Sequence, residues 1–342
     1  MNARKIRLNF IKIIVPVLFI AFSCSPKIVT VNDSAGILGK THAPVSVKMN
    51  WANKYEPALV EITDNGEGEE IPVRLKKNET DSELILVMPA GKPGIRKFKV
   101  VRKTASLPPV MVVEKDSGSG QFVIKESGKS VLQYNYQTVN EDNVIRVASK
   151  KDIKPVYKPV SFPAGNVYRD EYLKSHPEIK DNVITSAIWA VPRSNYIHPL
   201  YGLNGEMLTN DWPDGSHPHH RGIFWAWPEV EYKSQHGDLY ALLRVFARPT
   251  GNIKYTSGSV FAEIDAENLW MWKDKEPIVR EQVTIRVYRS SQESRVIDLT
   301  VSLLAMVDSV TVATRSTNSY GGLCFRMETP QKQDISYYSD KP

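Results

Sequence analysis

This sequence has very little cysteine, with only Cys24 and Cys324 among 342 residues. A disulfide framework is therefore excluded, and so is a zinc site built from several thiolates. Nor is there an apolar run near twenty residues, the length that a membrane-spanning helix needs. A glycine-rich phosphate loop, a heptad pattern and an internal duplication are all missing, so nucleotide-binding, coiled-coil and repeat architectures find no support. Excess charge is scarce as well. The formal net charge is +6, but Arg4, Lys5, Arg7 and Lys12 fall in residues 1–23, which contain no acid. Without those four charges the balance is +2, too little for an electrostatic footprint on nucleic acid, and no nucleic-acid partner is expected.

What is present at the N-terminus reads as a targeting signal. The basic start leads into an apolar run from Ile13 to Phe22, broken by Pro16 and too short to cross a bilayer. Ser23 and Ala21 supply small residues just before Cys24. This arrangement resembles a bacterial lipoprotein signal, which implies removal of residues 1–23, lipidation of Cys24 and a membrane partner held through that lipid. Ser25, Pro26 and Lys27 follow with no acidic residue, so the aspartate cue for inner-membrane retention and the acidic tract for surface export are both missing. The expected place is the periplasmic face of the bacterial outer membrane.

The mature chain reads as all-β. Residues 24–44 are expected to be a flexible tether. Over 45–102, short alternating runs such as VSVKMNW, PALVEIT and ELILVMP are separated by turn signals at Asp64-Asn65-Gly66 and Gly91-Lys92-Pro93-Gly94, which predicts a small β-sandwich domain. Residues 103–120 are expected to be a linker, and 121–342 a larger antiparallel β-sandwich. Residues 150–182, rich in proline and charge, predict an extended surface excursion. Beyond residue 239 the runs lengthen, and in EQVTIRVYR the residues Val283, Ile285 and Val287 alternate with Gln282, Thr284 and Arg286, giving one core face and one polar face.

Chemistry concentrates in residues 196–227, YIHPLYGLNGEMLTNDWPDGSHPHHRGIFWAW, which hold four of the seven histidines. Prolines and glycines between them exclude a continuous helix and place the polar groups on loops or strand ends. YIHPLY, LTNDWPDGSHPHHRGIFWAW and YGGLCFR at 320–326 resemble a secreted bacterial family labelled "methane oxygenase PmoA", a domain of unknown function, over about residues 121–327. Methane oxidation does not carry over, because the enzyme that gave the label is built from transmembrane helices. The resemblance implies an association with sugar-processing enzymes, and the large antiparallel sheet is similar to the supersandwich of galactose mutarotase-like proteins. Members generally continue for several strands beyond the YGGLCFR element, so a shortened C-terminus is a further expectation.

Three readings of the segment follow. In the first, it lines a cleft for a saccharide or modified sugar. His217, His219, His220 and Arg221 are then the candidate catalytic groups, an imidazole being able to give or take a proton near neutrality. His198, Asp211, Asp214 and Arg326 would bind hydroxyls or a carboxylate, and Trp225 or Trp227 would offer a ring to a sugar's C–H face. In the second, His217 and His219 with Asp214, His198 or His236 hold a catalytic metal, although their spacing fits no established metal signature and no cofactor is required by the sequence. In the third, the chain is a non-catalytic carbohydrate-binding or assembly lipoprotein. For any one of these histidines, a satisfied core position is as reasonable as a site role, and tryptophans alternating at 225 and 227 also suit plain core packing.

Overall fold

The computed structural model describes residues 6–9, 27–51, 54–77, 81–104, 109–139, 145, 193–211, 220–242, 244–314 and 320–328. Their architecture is all-β, as expected, with several antiparallel sheets. β1 (Ile6–Asn9) precedes a small sandwich containing β2 (Ile28–Asp33), α1 (Ile37–Thr41), β3 (Pro44–Met49), β4 (Pro57–Thr63), β5 (Gly66–Pro72), β6 (Arg74–Lys77), β7 (Ser82–Val87) and β8 (Gly94–Arg102). The larger part contains β9 (Met111–Lys115), β10 (Phe122–Glu126), β11 (Lys129–Asn135), β12 (Tyr196–Leu200), β13 (Ile223–Ala226), β14 (Glu229–Tyr232) and β15 (Gln235–Gly237). It continues through β16 (Val245–Thr256), β17 (Phe261–Trp272), β18 (Glu276–Tyr288), β19 (Ile297–Ala305), β20 (Thr311–Ala313) and β21 (Gly322–Phe325).

In the small domain the sheet β2-β8-β4-β5 faces the sheet β3-β7-β6. Period-two alternation drives this packing: Val29, Val31, Leu59, Phe98 and Val100 from one sheet meet Val45, Val47, Leu84 and Leu86 from the other. Two sequence expectations are corrected here. The segment expected to be a flexible tether is folded from Lys27 onward, with Ile28–Asp33 paired along β8 and Asp33 buried, accepting the backbone N–H groups of Leu38 and Gly39. The linker expected at 103–120 contains β9, which pairs with β10 and buries Met111 completely. Alternating apolar residues, Val29 and Val31 in one case and Met111 and Val113 in the other, supply the burial that a tether or linker lacks.

The large domain packs the sheet β1-β19-β18-β17-β16 on the sheet β21-β13-β12-β11-β10-β9, with β15-β14-β20 alongside. Val283, Ile285 and Val287 are fully buried and their neighbours Gln282, Thr284 and Arg286 are not, as their alternation predicts. The two domains share an apolar contact. Ile85 and Val87, on the face of β7 opposite Leu84 and Leu86, pack against Val260, Phe261 and Tyr288 of the large domain. The whole of the excursion expected at 150–182 and the whole apolar part of the signal lie outside the described residues. No helix among the described residues is long and apolar enough to cross a membrane.

Candidate functional site

Within the histidine-rich stretch, Asp211 and Arg221 form an isolated antiparallel bridge. Arg221 Nε donates to Asp211 Oδ1, while Nη2 donates to Asp211 Oδ2 at 3.1 Å and to the Tyr196 hydroxyl at 2.7 Å. Tyr196 in turn donates to Asp211 Oδ2 at 2.8 Å, and the guanidinium carbon lies 4.9 Å from the Tyr196 ring centroid. Arg221 is 1% exposed and Asp211 2%, so both charges sit inside the protein. Burial works to raise the Asp211 carboxyl, but Arg221, His198 and the bonds from Arg221 and Tyr196 outweigh it and hold the group below its ordinary range. The pair therefore enters the core ionised and mutually compensated.

His198 belongs to the same buried region. Its Nε2 lies 2.7 Å from the Ile145 carbonyl oxygen and its Nδ1 3.0 Å from Thr209 Oγ1. A carbonyl only accepts, so Nε2 carries the proton and Nδ1 accepts from the threonine hydroxyl. Burial pushes the His198 pKa down against the attraction of Asp211, which keeps the ring neutral. Both nitrogens are occupied, which leaves none for a metal. His236 is 2.9 Å from Glu229 on the β14–β15 hairpin, and no group of three metal-ligating side chains occurs among the described residues.

A second polar cluster crosses the sandwich core. Glu281, with no exposed surface, projects from the core face of β18. Its Oε1 accepts the Trp225 indole N–H at 2.9 Å and the Asn195 amide at 2.5 Å; its Oε2 accepts the Trp270 indole at 2.6 Å. Asn268 extends the chain of bonds to Asn195 and to the Tyr134 hydroxyl. Burial raises the Glu281 carboxyl even against these donors. Trp225 is thus a core residue bound at its polar edge, and Trp227 is buried against Trp270 with ring centroids 5.5 Å apart. The expectation that either tryptophan forms an open sugar platform is corrected, because their alternation along β13 and just beyond it serves the core.

A third cluster reaches the surface where His220 leaves the histidine-rich stretch. The half-buried His220 Nε2 lies 3.4 Å from the Tyr240 hydroxyl, and the two rings meet edge to face at 5.4 Å. Tyr240 also packs edge to face on Phe224 at 4.9 Å and lies 4.8 Å from Tyr320, which is 48% exposed. Beneath them the buried Arg193 sits 4.9 Å above the Phe224 ring and donates to the carbonyls of Leu239 and Tyr240 at 2.8 and 2.5 Å. Burial, then repulsion from Arg221, lowers the Arg193 pKa to about 10, which still leaves it cationic at neutral pH. Burial raises the Cys324 thiol, opposed by a hydrogen bond with Tyr240 and by Arg193.

The candidates thus separate. His198, Asp211 and Arg221 converge in a buried scaffold, His220 lies in the surface-reaching aromatic cluster, and Trp225 and Trp227 are in the core. Arg326 is half-buried on the strand run that binds Gly222 and Asn210 through its backbone. Cys24, Asp214, His217 and His219 lie outside the described residues. Arg193, Phe224, Tyr240 and Glu281 did not stand out in the sequence. Tyr320 lay within the YGGLCFR element, which was a pointer, but it read as part of a turn.

Residues 184–340 match the model of a family of unknown function, DUF6807. That stretch includes the buried scaffold residues from Arg193 onward and the whole aromatic cluster, and the match carries no statement of activity. No curated protein and no solved structure matches the chain.

Proposed function

We propose that this chain binds a saccharide or modified sugar at the surface formed by His220, Tyr240 and Tyr320, and that a lipid on Cys24 holds it at the periplasmic face of the outer membrane. The observation that carries the sugar reading is the graded run of rings, from exposed Tyr320 to buried Tyr240, beside an imidazole at the end of the histidine-rich stretch. A sugar needs a ring for its C–H face and hydrogen-bonding groups for its hydroxyls, and tyrosine offers an apolar body with a polar tip. The fixed ion pair below would keep His220 in place, since loops held by a rigid scaffold position chemistry well. In this reading His220 is the acid–base group, alongside His217 and His219 from the same stretch. Arg221 and Asp211 then act as positioning residues.

Thermal unfolding against a panel of mono-, oligo- and keto-sugars tests this. A ligand present at about a hundred times its dissociation constant should add roughly 2.7 kcal/mol, visible as a raised midpoint. Tyr320→Ala should abolish the shift, whereas His220→Ala should retain the shift and lose any turnover. Cooperative melting with no shift from any sugar would overturn the proposal. A shift without turnover in the unaltered protein would assign the surface to binding alone.

A further inference from the structure

The small domain is fastened only three residues after Cys24. The Lys27 carbonyl accepts the Val100 N–H at 2.8 Å, and the Lys27 ammonium donates to the Asn50 carbonyl at 2.6 Å while lying 5.4 Å from the Trp51 ring centroid. An extended chain spans at most about 3.6 Å per residue, so an acyl group on Cys24 brings Lys27 within about 11 Å of the lipid headgroups. That distance is less than the thickness of the domain's two packed sheets with their side chains, about 10 Å between backbone layers alone. With an acyl group on Cys24, the small domain is therefore held close to the bilayer.

The packing decides which surface is available. The β3-β7-β6 sheet is covered on one side by the small core and on the other by Val260, Phe261 and Tyr288. The β2-β8-β4-β5 sheet, whose edge strand β2 begins next to Lys27, exposes its second face along β2 and β8, while Ala58 and Val60 of β4 on that face are buried. On that face Ile95 is 68% exposed, Ile28 45% and Ile62 39%. The register sets Ile28 opposite Lys99 and Ile62 opposite Lys97, so isoleucines and lysines alternate across neighbouring strands. Lys99 is paired with Glu67 at 2.7 Å, and the acids on this face, Glu67 opposite Ile62 and Glu70 opposite Val60, belong to β5 at the edge farthest from β2, as do the exposed Asp64 and Glu69 of the β4–β5 hairpin. Nearest the leash, the face is apolar and basic.

We infer that the open face of the β2-β8-β4-β5 sheet rests on the phospholipid bilayer that holds the anchor, with Ile28, Ile62 and Ile95 among the headgroups and Lys97 against their phosphates. This inference rests on the lipidation of Cys24. Apolar side chains gain by leaving water at the interface, and a lysine near an anionic surface adds its own attraction. The large domain, packed on the opposite sheet, is then held away from the membrane with the His220 surface in the periplasm.

The test uses the intact lipidated protein in phosphatidylethanolamine and phosphatidylglycerol vesicles. Lysines are labelled with a membrane-impermeant amine reagent and quantified by mass spectrometry. Lys97 should label several-fold less than Lys254, which is exposed on the large domain, after both are normalised to the denatured chain. The triple variant Ile28→Asp, Ile62→Asp, Ile95→Asp should restore Lys97 labelling while its circular dichroism melt stays cooperative. Equal labelling of Lys97 and Lys254 in acylated protein would overturn the orientation. So would a triple variant that stays protected, or protection that fades as protein is diluted in the vesicles, which would mean contact between copies. An N-terminal peptide without an acyl group would remove the lipid anchor itself, and the orientation with it.

Discussion

At the residue scale, Asp211 and Glu281 are two buried acids governed by opposite balances. Asp211 has a cation beside it, and its folded pKa lies below the ordinary value; Glu281 has only neutral donors at hydrogen-bond distance, and its folded pKa lies above. The depressed Asp211 pKa contributes stability that is present above the unfolded value near 3.9 and is lost as pH falls through the folded value. The raised Glu281 pKa works the other way, contributing below its unfolded value and losing that contribution as pH rises through the folded one. Asp211→Asn leaves Arg221 as an uncompensated buried charge and should cost about 3–5 kcal/mol in urea unfolding. The variant should also lose less stability than the parent between pH 5 and pH 3, a range set by the unfolded pKa of about 3.9. Identical acid limbs for parent and variant would show that the pair does not hold Asp211 ionised.

At the scale of elements, the neck between β12 and β13 depends on one glycine. Gly222 has φ +54°, in the left-handed region, and a Cβ there would collide with the Ile197 carbonyl oxygen and approach the His198 Cβ to 2.7 Å. The backbone N–H of Gly222 also donates to the Asn210 carbonyl, and its own carbonyl accepts from Arg326. Gly222→Ala must therefore move a strand or leave its backbone conformation, and it should cost about 1–3 kcal/mol or more in urea unfolding. It should also perturb the near-ultraviolet signal of the tyrosines around His220. A loss under about 0.5 kcal/mol would mean that the neck tolerates displacement. The glycine stands in HPHHRG, so its presence was legible, but its reason was not: the clash comes from Ile197, twenty-five residues earlier.

At the scale of the whole molecule, β7 serves two cores. Leu84 and Leu86 face the small domain's interior, and Ile85 and Val87 face the large domain. Phe261 is central to the second contact, with its ring 5.7 Å from Tyr288 and 4.6 Å from the Arg286 guanidinium carbon. Phe261→Ala should cost about 3–5 kcal/mol and separate the calorimetric melt into two transitions, one for each domain. A single transition at an unchanged midpoint would refute this coupling. The proposed lipidation of Cys24 would also act at this scale, since cleavage ahead of it would remove β1, which pairs with β19 at the edge of the large sheet.

Local pattern alone determined the fold class. A period of two is a property of neighbouring residues, so the core face of β18 and many strands of both sandwiches could be read before any pairing was known, though β2 and β9 were expected as a tether and a linker. The same alternation put Glu281 on the face of Val283, although its three partners could not be foreseen. Composition likewise marked residues 196–227 as the polar stretch of the large domain. Tertiary structure decided the division of labour within it. His220 and Arg221 are adjacent in sequence, yet the ring joins the surface cluster and the guanidinium is sealed in the core. Whether a polar group faces water or an ion partner depends on strands brought together from distant parts of the chain, here Tyr196 beside Arg221 and Tyr240 beside His220. Burial and the partners those strands bring alongside set the opposite shifts of the Asp211 and Glu281 carboxyls, which spacing along the chain does not encode.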